Sequence, residues 1–481
     1  MELLYILVIT ALALGASMIP AGRKFPPAVT FLGALAVFVL SVITAVKTIN
    51  GGEVVAIKDW LSCDSFGALI LLLVAFVGLA AAVFSWGYMA KFVDPGDDRK
   101  MRRYYVLYNL FLLSMQAVPI LSQVALVWIA VELTTLLSVF LVSFEQTPEA
   151  LEAAWKYVVL TCMGAAFALF GILVLYWGMS VAADYPFTWA GLMIASPKIS
   201  PAFLNAAFFF ILIGFGTKVG LVPLHTWLPD AHSQAPSPIC ALLSGIETTA
   251  VLYAIMRLLP MFQNGSASYA SMWFVIFGLI SVGVAAFLLI QAKDYKRLFA
   301  FSTVEHMGII LVAAGLGGHD AHFGATLQIV SHTVTKSFCF FAAGATLLAT
   351  GSREIASVRG LIRTSPSTGV FLTIGGLAIS GAPPFAVFLS EFSILKAGIA
   401  SGQYIVTGLL ALFIVIAFFG IMFQINRMVF GKPSTVSSKA AVPMTCIITL
   451  ILMVIPVILF GFYIPETLLK LLHLAASSLG R

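Results

Sequence analysis

The sequence predicts an all-α polytopic membrane protein, and three observations carry that prediction. Of its 481 residues 61% are hydrophobic and 10% charged, where an ordinary soluble domain has roughly 45–50% and about 25%. Apolar runs of about 20 residues recur from end to end, the length of helix that crosses a hydrocarbon layer about 30 Å thick with its backbone polar groups satisfied internally. The runs also lack the period-two alternation of a barrel strand. A water-soluble protein is excluded.

Fourteen segments are expected to span, at residues 2–20, 26–46, 65–90, 104–121, 124–144, 154–178, 201–221, 237–258, 271–292, 297–316, 322–350, 366–395, 404–426 and 441–464. The first, MELLYILVITALALGASMIP, lacks a basic leader and is followed at once by another apolar segment, so it reads as a retained helix rather than a cleaved signal peptide. Sixteen Lys and Arg residues, Lys439 among them, fall in loops after the odd-numbered segments, against seven, including Arg481, on the other side. The positive-inside rule then makes the richer side cytoplasmic and puts both termini in the opposite compartment. The net charge of +6 thus reports orientation before it reports any anionic partner, and nucleic-acid binding is the poor reading.

Some charges stay behind inside the spans, and these are the candidate functional residues. Glu132 lies within the fifth segment and Lys156 at the mouth of the sixth; Lys218 lies in the seventh, Glu247 in the eighth, Glu305 in the tenth, Lys336 in the eleventh and Glu391 in the twelfth. Each such charge costs at least about 2.5–3.5 kcal/mol on insertion scales, so they imply a hydrated interior that carries protons or ions. Lys156 alternatively snorkels to an interface.

The seventh and twelfth segments are interrupted by glycine and proline, in GFGTKVGLVPLHTWLPD and ISGAPPFAVFLSEF, and are expected to be broken helices. From Glu132 to Lys218 is 86 residues, and from Glu305 to Glu391 is also 86. That spacing suggests two inverted five-helix units, over segments 4 to 8 and 9 to 13, of the kind that places ion sites at the bilayer midplane. The implied regions are a three-helix start at 1–100, units at 101–260 and 261–430, and a last helix and tail at 431–481.

A Glu132–Lys218 ion pair is expected in the first unit, where moving one partner changes the proton affinity of the other. In the second, His332 stands one turn before Lys336 on the same face and leads toward Glu391, while His306 beside Glu305 is placed to join the halves. His332 alternatively bonds a neighbouring carbonyl. His225, Asp230 and His232 are read as a loop after the break, either a proton entrance or, for Asp230, a cap. His319 and His322 are read as solvated loop residues. Neither the histidines nor the five scattered cysteines suggest a metal site or an iron–sulfur cluster in this chain.

The motifs GTKVGLVPLHTWLPDAHSQAPSP, AKDYKRLFAFSTVEHMG and SHTVTKSF resemble those of the proton-translocating antiporter-like subunits of respiratory complex I, Mrp-type cation/proton antiporters and group 4 [NiFe] hydrogenases. VEHMG with AWKYV makes the chain most similar to the F-type subunit of hydrogenase-4 and formate hydrogenlyase-related complexes. The resemblance implies that Glu132, Lys218, Lys336 and Glu391 form a proton relay. It also implies partner membrane subunits and a peripheral redox arm holding Fe-S clusters with a NiFe or flavin centre, in a prokaryotic inner membrane. The family's eighth-helix Lys or His falls on Thr249 here, and Glu247 is expected to replace it. Only about 17 residues follow the last segment, too few for the long lateral helix of the distal family member. Proton transfer, with Na⁺ as the other cargo, is the expected function. The rivals are an Mrp-type antiporter subunit, a complex I central subunit and a non-conducting membrane anchor.

Overall fold

The computed structural model describes residues 1–262, 267–433 and 441–480, so that Lys439 and Arg481 lie outside the described residues. Helices α1 (Glu2–Ser17) and α2 (Phe25–Gly51) lead into a small antiparallel hairpin, β1 (Val54–Ile57) and β2 (Leu61–Cys63). Then come α3 (Ser65–Phe92), α4 (Asp98–Ala117), α5 (Val124–Val142), α6 (Pro148–Ala182), the short α7 (Trp189–Ala195), α8 (Pro201–Val219) and α9 (Trp227–Gln234). α10 (Ser237–Leu242) passes through a π-helical turn, Leu243–Glu247, into α11 (Thr248–Met256). The second half holds α12 (Ala267–Gln291), α13 (Tyr295–Leu316), α14 (His319–Thr350), the short α15 (Leu361–Thr364), α16 (Pro366–Ile379), α17 (Ala386–Ala400), α18 (Tyr404–Phe430), α19 (Met444–Phe462) and α20 (Glu466–Leu479).

Among the described residues, 11 helical segments are long and apolar enough to cross a membrane, and α1 and α16 are apolar but shorter. The chain is an integral membrane protein. Its core is central rather than one-sided: the segment from α10 through α11 is wholly buried and α13 and α14 nearly so, whereas α2, α18 and α19 turn most of their surface outward.

Side-chain caps set several helix starts. Asp64 accepts from the Gly67 amide at the head of α3 (2.8 Å), and Asp294 from the amides of Lys296 and Arg297 at the head of α13 (2.7 and 3.1 Å). Small residues set the packing of α6 on α8. A Cβ on Gly164 would lie 2.7 Å from the Gly214 carbonyl oxygen and one on Gly171 2.8 Å from that of Ala207, so only glycine allows these backbones so close.

Both expected breaks are present. α8 stops at Gly220, in the left-handed region at φ 87°, and the chain resumes as α9 after a turn containing cis Val222–Pro223; α16 and α17 are separated by a turn containing cis Pro383–Pro384. The hairpin was not expected, since a polar connection of a few residues carries no hydropathy signal. The C-terminal tail was given no helix of its own from the sequence. It forms α20, which buries Leu471, Leu472, Ala475, Ala476 and Leu479 along one stripe and packs against α14 and α3.

Candidate functional site

Lys218 sits on the last turn of α8, just before its glycine stop, and its ammonium is almost fully buried. It forms an ion pair of 2.8 Å with Glu247 Oε1, the two side chains being only 3% and 1% exposed. Among the described residues this is the one ion pair with both partners buried. Glu247 reaches it from the π-helical turn, whose extra residue re-aims the side chains that follow.

Neutral donors complete the cluster. The Tyr157 hydroxyl of α6 donates to Glu247 Oε1 (3.2 Å), accepts from Lys218 Nζ (3.4 Å) and lies 2.8 Å from Ser138 Oγ; Lys218 Nζ also donates to Thr135 Oγ1. Glu247 Oε2 has no partner among the described residues.

The ion pair expected between Glu132 and Lys218 is not formed. Glu132 is only partly buried on α5, one turn before Thr135, and Lys218 is engaged by Glu247 instead. Spacing along the chain could not choose between two acids on different helices, because the choice depends on how each helix is rotated. Thr135 did leave a signal, standing at i+3 from Glu132 on the same side of α5.

His225, Asp230 and His232 do not form a loop cluster. His225 lies in the turn, its Nδ1 without a partner among the described residues, while Asp230 and His232 belong to half-helix α9. Asp230 bonds Arg297 (2.7 Å) and Lys156 (3.2 Å), and Lys156 also bonds Glu152 one turn earlier (2.7 Å). Lys156 is therefore a half-exposed member of a surface network. α6 starts at Pro148, earlier than hydropathy suggested, and this puts Lys156 in its third turn, with half of the side chain exposed.

α9 is fixed at both ends. Trp227 stacks on Tyr157 (ring centroids 4.3 Å) and donates Nε1 to the Thr217 carbonyl (2.8 Å). Lys296, read from the sequence as a loop charge, is buried and donates to the carbonyls of Ser233 (3.3 Å) and Ala235 (2.6 Å). Arg353 donates to that of Ser233 (2.5 Å), so two cations sit at the negative end of the half-helix. His232 is fully buried over the Phe340 ring, both ring nitrogens without a partner among the described residues.

The second half gathers Lys336, His332, His306 and Glu391 around α14. Lys336 Nζ donates to the Phe299 carbonyl (3.1 Å) and the Ser302 hydroxyl, and no carboxylate pairs with it among the described residues. His332 lies 3.2 Å from the Ser244 carbonyl in the π-helical turn, which is the carbonyl contact allowed for it, and its ring is 5.1 Å from that of His306. His306 accepts at Nδ1 from Gln328 Nε2 (2.9 Å), so its Nε2 carries the hydrogen given to the Ile379 carbonyl (3.0 Å). Gln328 Oε1 accepts from Ser390, the neighbour of Glu391 on α17.

Glu391 is buried against the α16–α17 break. Gly381 there has φ 75°, and a Cβ on it would overlap the Glu391 carboxylate. Glu305 is buried on α13, and its Oε2 has no partner among the described residues. A Ser244–Thr303 hydroxyl contact of 2.5 Å joins the π-helical turn to α13.

His319 and His322 are not loop residues but begin α14: His322 is buried, and His319 Nε2 lies 3.2 Å from His473 Nδ1 on α20. Among the described residues no three His, Cys, Asp or Glu side chains group as a metal site.

Comparison with known proteins follows the same lines. A family model described as NADH:quinone oxidoreductase/Mrp antiporter, TM, matches residues 122–420, and one described as NADH-Ubiquinone oxidoreductase (complex I), chain 5 N-terminus, matches residues 57–105. The chain is 38% identical over 384 residues to the Hydrogenase-4 component F homolog of Methylacidiphilum infernorum, covering 78% of this chain and 80% of that one. It superposes on a chain of the membrane-bound sulfane sulfur reductase, an archaeal respiratory membrane complex, with a TM-score of 0.88 and 25% identity, over 100% of this chain and 97% of the other. A chain of the Mrp complex from Dietzia sp. DQ12-45-1b shares the fold, with a TM-score of 0.87, 18% identity and 99% and 97% of the two chains covered.

Proposed function

Since this chain belongs to the NADH:quinone oxidoreductase/Mrp antiporter transmembrane family, we propose that it moves protons across the membrane as one subunit of a larger membrane-bound redox complex. The observation that carries this reading is the buried Lys218–Glu247 pair and the row that continues from it. Two opposite charges held in the interior are a poor way to gain stability, since desolvation offsets much of their attraction. They are a good way to make one group's proton affinity depend on the position of another.

The row runs from Glu132 on α5 through Lys218, Tyr157 and Glu247 to the π-helical turn. From there His332 and Lys336 lead to His306, Gln328, Ser390 and Glu391. Lys336, held by neutral oxygens alone, is free to lose its proton without leaving a partner carboxylate uncompensated. Glu305 adds a buried carboxyl beside this row. His225 and His232 serve the uptake side, with Asp230 and Lys156 as the charged rim around it.

The two broken helices and the matched spacing of 86 residues support two inverted units at 101–260 and 261–430, between the region 1–100 and the last helix at 431–481. The charge bias of the loops supports termini on the non-cytoplasmic side of a prokaryotic inner membrane. The partners are other membrane subunits and a peripheral arm, whose Fe-S clusters and NiFe or flavin centre supply the electron transfer. The likeness to a hydrogenase-4 component F homolog favours a hydrogenase-type arm.

The test uses membrane vesicles holding the assembled complex, with acridine orange reporting proton uptake under the electron donor that drives the wild type. Lys218→Met with Glu247→Gln removes both charges and leaves none unpaired. Coupled uptake should fall at least about tenfold while assembly and electron transfer persist; uptake at the wild-type level overturns the relay.

A further inference from the structure

The end of the bundle where α2 and α11 finish and α3 begins holds a cavity of about 560 Å³, the size of a small-molecule site. Its charged centre is Arg257, which follows the last turn of α11. Nη1 donates to Asp64 Oδ2 (2.7 Å) and to the Tyr253 hydroxyl (3.1 Å), and the guanidinium lies over the rings of Trp189 and Tyr253 (5.2 and 5.4 Å). These contacts fix the guanidinium while using one of its three nitrogens. Nε and Nη2 donate to nothing among the described residues, and neither is sealed off from the cavity that Arg257 lines. Two parallel N–H donors on a mostly buried, rigidly held cation form the fork that grips two oxygens of a phosphate.

The other charges of the cavity restrict what the phosphate is attached to. Asp64 is committed to Arg257, whereas Glu53, Lys58 and Asp59 line the same cavity and form no ion pair among the described residues. A purely anionic ligand meets two free carboxylates there; a ligand with a cationic group beside its phosphate is complementary to both signs. The surroundings are those of a lipid. The cavity lies where spanning helices end, at headgroup depth, and Ile49, Phe66, Met193 and Leu474 give it an apolar wall. Ile49 is also the last member of a stripe down one face of α2, with Leu35, Val39, Val42 and Val46 at i, i+4, i+7 and i+11 before it, all four exposed. At 1.5 Å per residue the stripe runs about 21 Å, more than half of a hydrocarbon core about 30 Å thick.

We propose that this cavity binds one phospholipid whose headgroup carries a phosphate and a primary ammonium, the chemistry of phosphatidylethanolamine. The Arg257 fork and Lys58 take the phosphate, Glu53 and Asp59 take the ammonium, and one acyl chain lies along the α2 stripe. A quaternary ammonium has no N–H to give these carboxylates, and a headgroup without a cation leaves them facing a like charge. The site does not depend on the relay around Lys218.

Native mass spectrometry of the purified complex, delipidated in detergent and given back one lipid at a time, reads the site. With dioleoylphosphatidylethanolamine the wild type should retain one molecule more per copy of this chain than a variant carrying Arg257→Gln and Asp64→Asn. That variant removes both charges, leaves neither unpaired and keeps an acceptor for the Gly67 amide at the head of α3. A second variant, Glu53→Gln with Asp59→Asn, changes only exposed side chains around the hairpin, so it tests the site even if the first fails to assemble. It should weaken phosphatidylethanolamine several-fold and leave phosphatidylglycerol no weaker. Wild-type retention by either variant overturns the proposal, as does equal retention of phosphatidylglycerol or phosphatidylcholine by the wild type. Free O-phosphoethanolamine should not displace the lipid at equal concentration; if it does, the ligand is a soluble phosphate ester and the lipid assignment falls.

Discussion

At the residue scale the buried charges divide into those held by an opposite charge and those held by neutral oxygens. Lys218 belongs to the first kind and Lys336 to the second. Removing one partner of a buried pair leaves the other uncompensated, at a cost of about 3–5 kcal/mol. Lys218→Met alone should therefore lower the thermal unfolding temperature of the detergent-solubilised complex, and adding Glu247→Gln should restore most of it; equal stability of the single and double variants would show that the pair is not coupled. Lys296→Met should loosen α9 by leaving the carbonyls of Ser233 and Ala235 short of a donor, a loss on the order of 1–3 kcal/mol. Limited proteolysis near Gln234 would register it, and an unchanged cleavage rate would count against the capping role. Most of the ionisable residues were legible in the sequence because a charge in an apolar run is conspicuous. Tyr157, Ser302, Gln328 and Ser390 were not, since a hydroxyl or amide in a span is common and marks a site only when something approaches it. Lys296 was missed because its span begins two residues before it was expected to, so a buried lysine was counted with the loop.

At the scale of the element, the breaks do the positioning. Glycine and proline announce them, because proline lacks the ladder donor and a left-handed residue stops the helix. Gly381 tests this most directly. Its φ of 75° disfavours any side chain by roughly 1–2 kcal/mol, and a Cβ there would also strike the Glu391 carboxylate. Gly402 has a similar φ of 73° with open space around it. Gly381→Ala should impair proton uptake in the assembled complex while Gly402→Ala carries only the backbone strain and pumps near the wild-type rate; matching defects would remove Glu391 from the argument. The π-helical turn was invisible in the sequence. LSGIE has no glycine–proline signature, and the turn is maintained by contacts across to α14, where Thr333 donates to the Gly245 carbonyl (2.8 Å) and His332 meets that of Ser244.

For the whole molecule, orientation follows from where the cations lie, and it can be checked from outside the cell. In a Cys162→Ser background, Glu53→Cys between α2 and β1 should react with a membrane-impermeant maleimide added externally, and Arg99→Cys at the start of α4 only after the membrane is opened. The reverse pattern would invert the topology. The sequence by itself determined that this chain is an integral membrane helix bundle, where two helices break and most of the charges that stay inside, because hydropathy, proline and charge act locally and are written residue by residue. Only the tertiary structure decided that Lys218 pairs with Glu247 rather than Glu132, that Lys156 lies at the surface, and that the tail folds back as α20. Each of these depends on the rotation and contact of helices distant in the chain, where a shift of one residue turns a side chain about 100° to another neighbour.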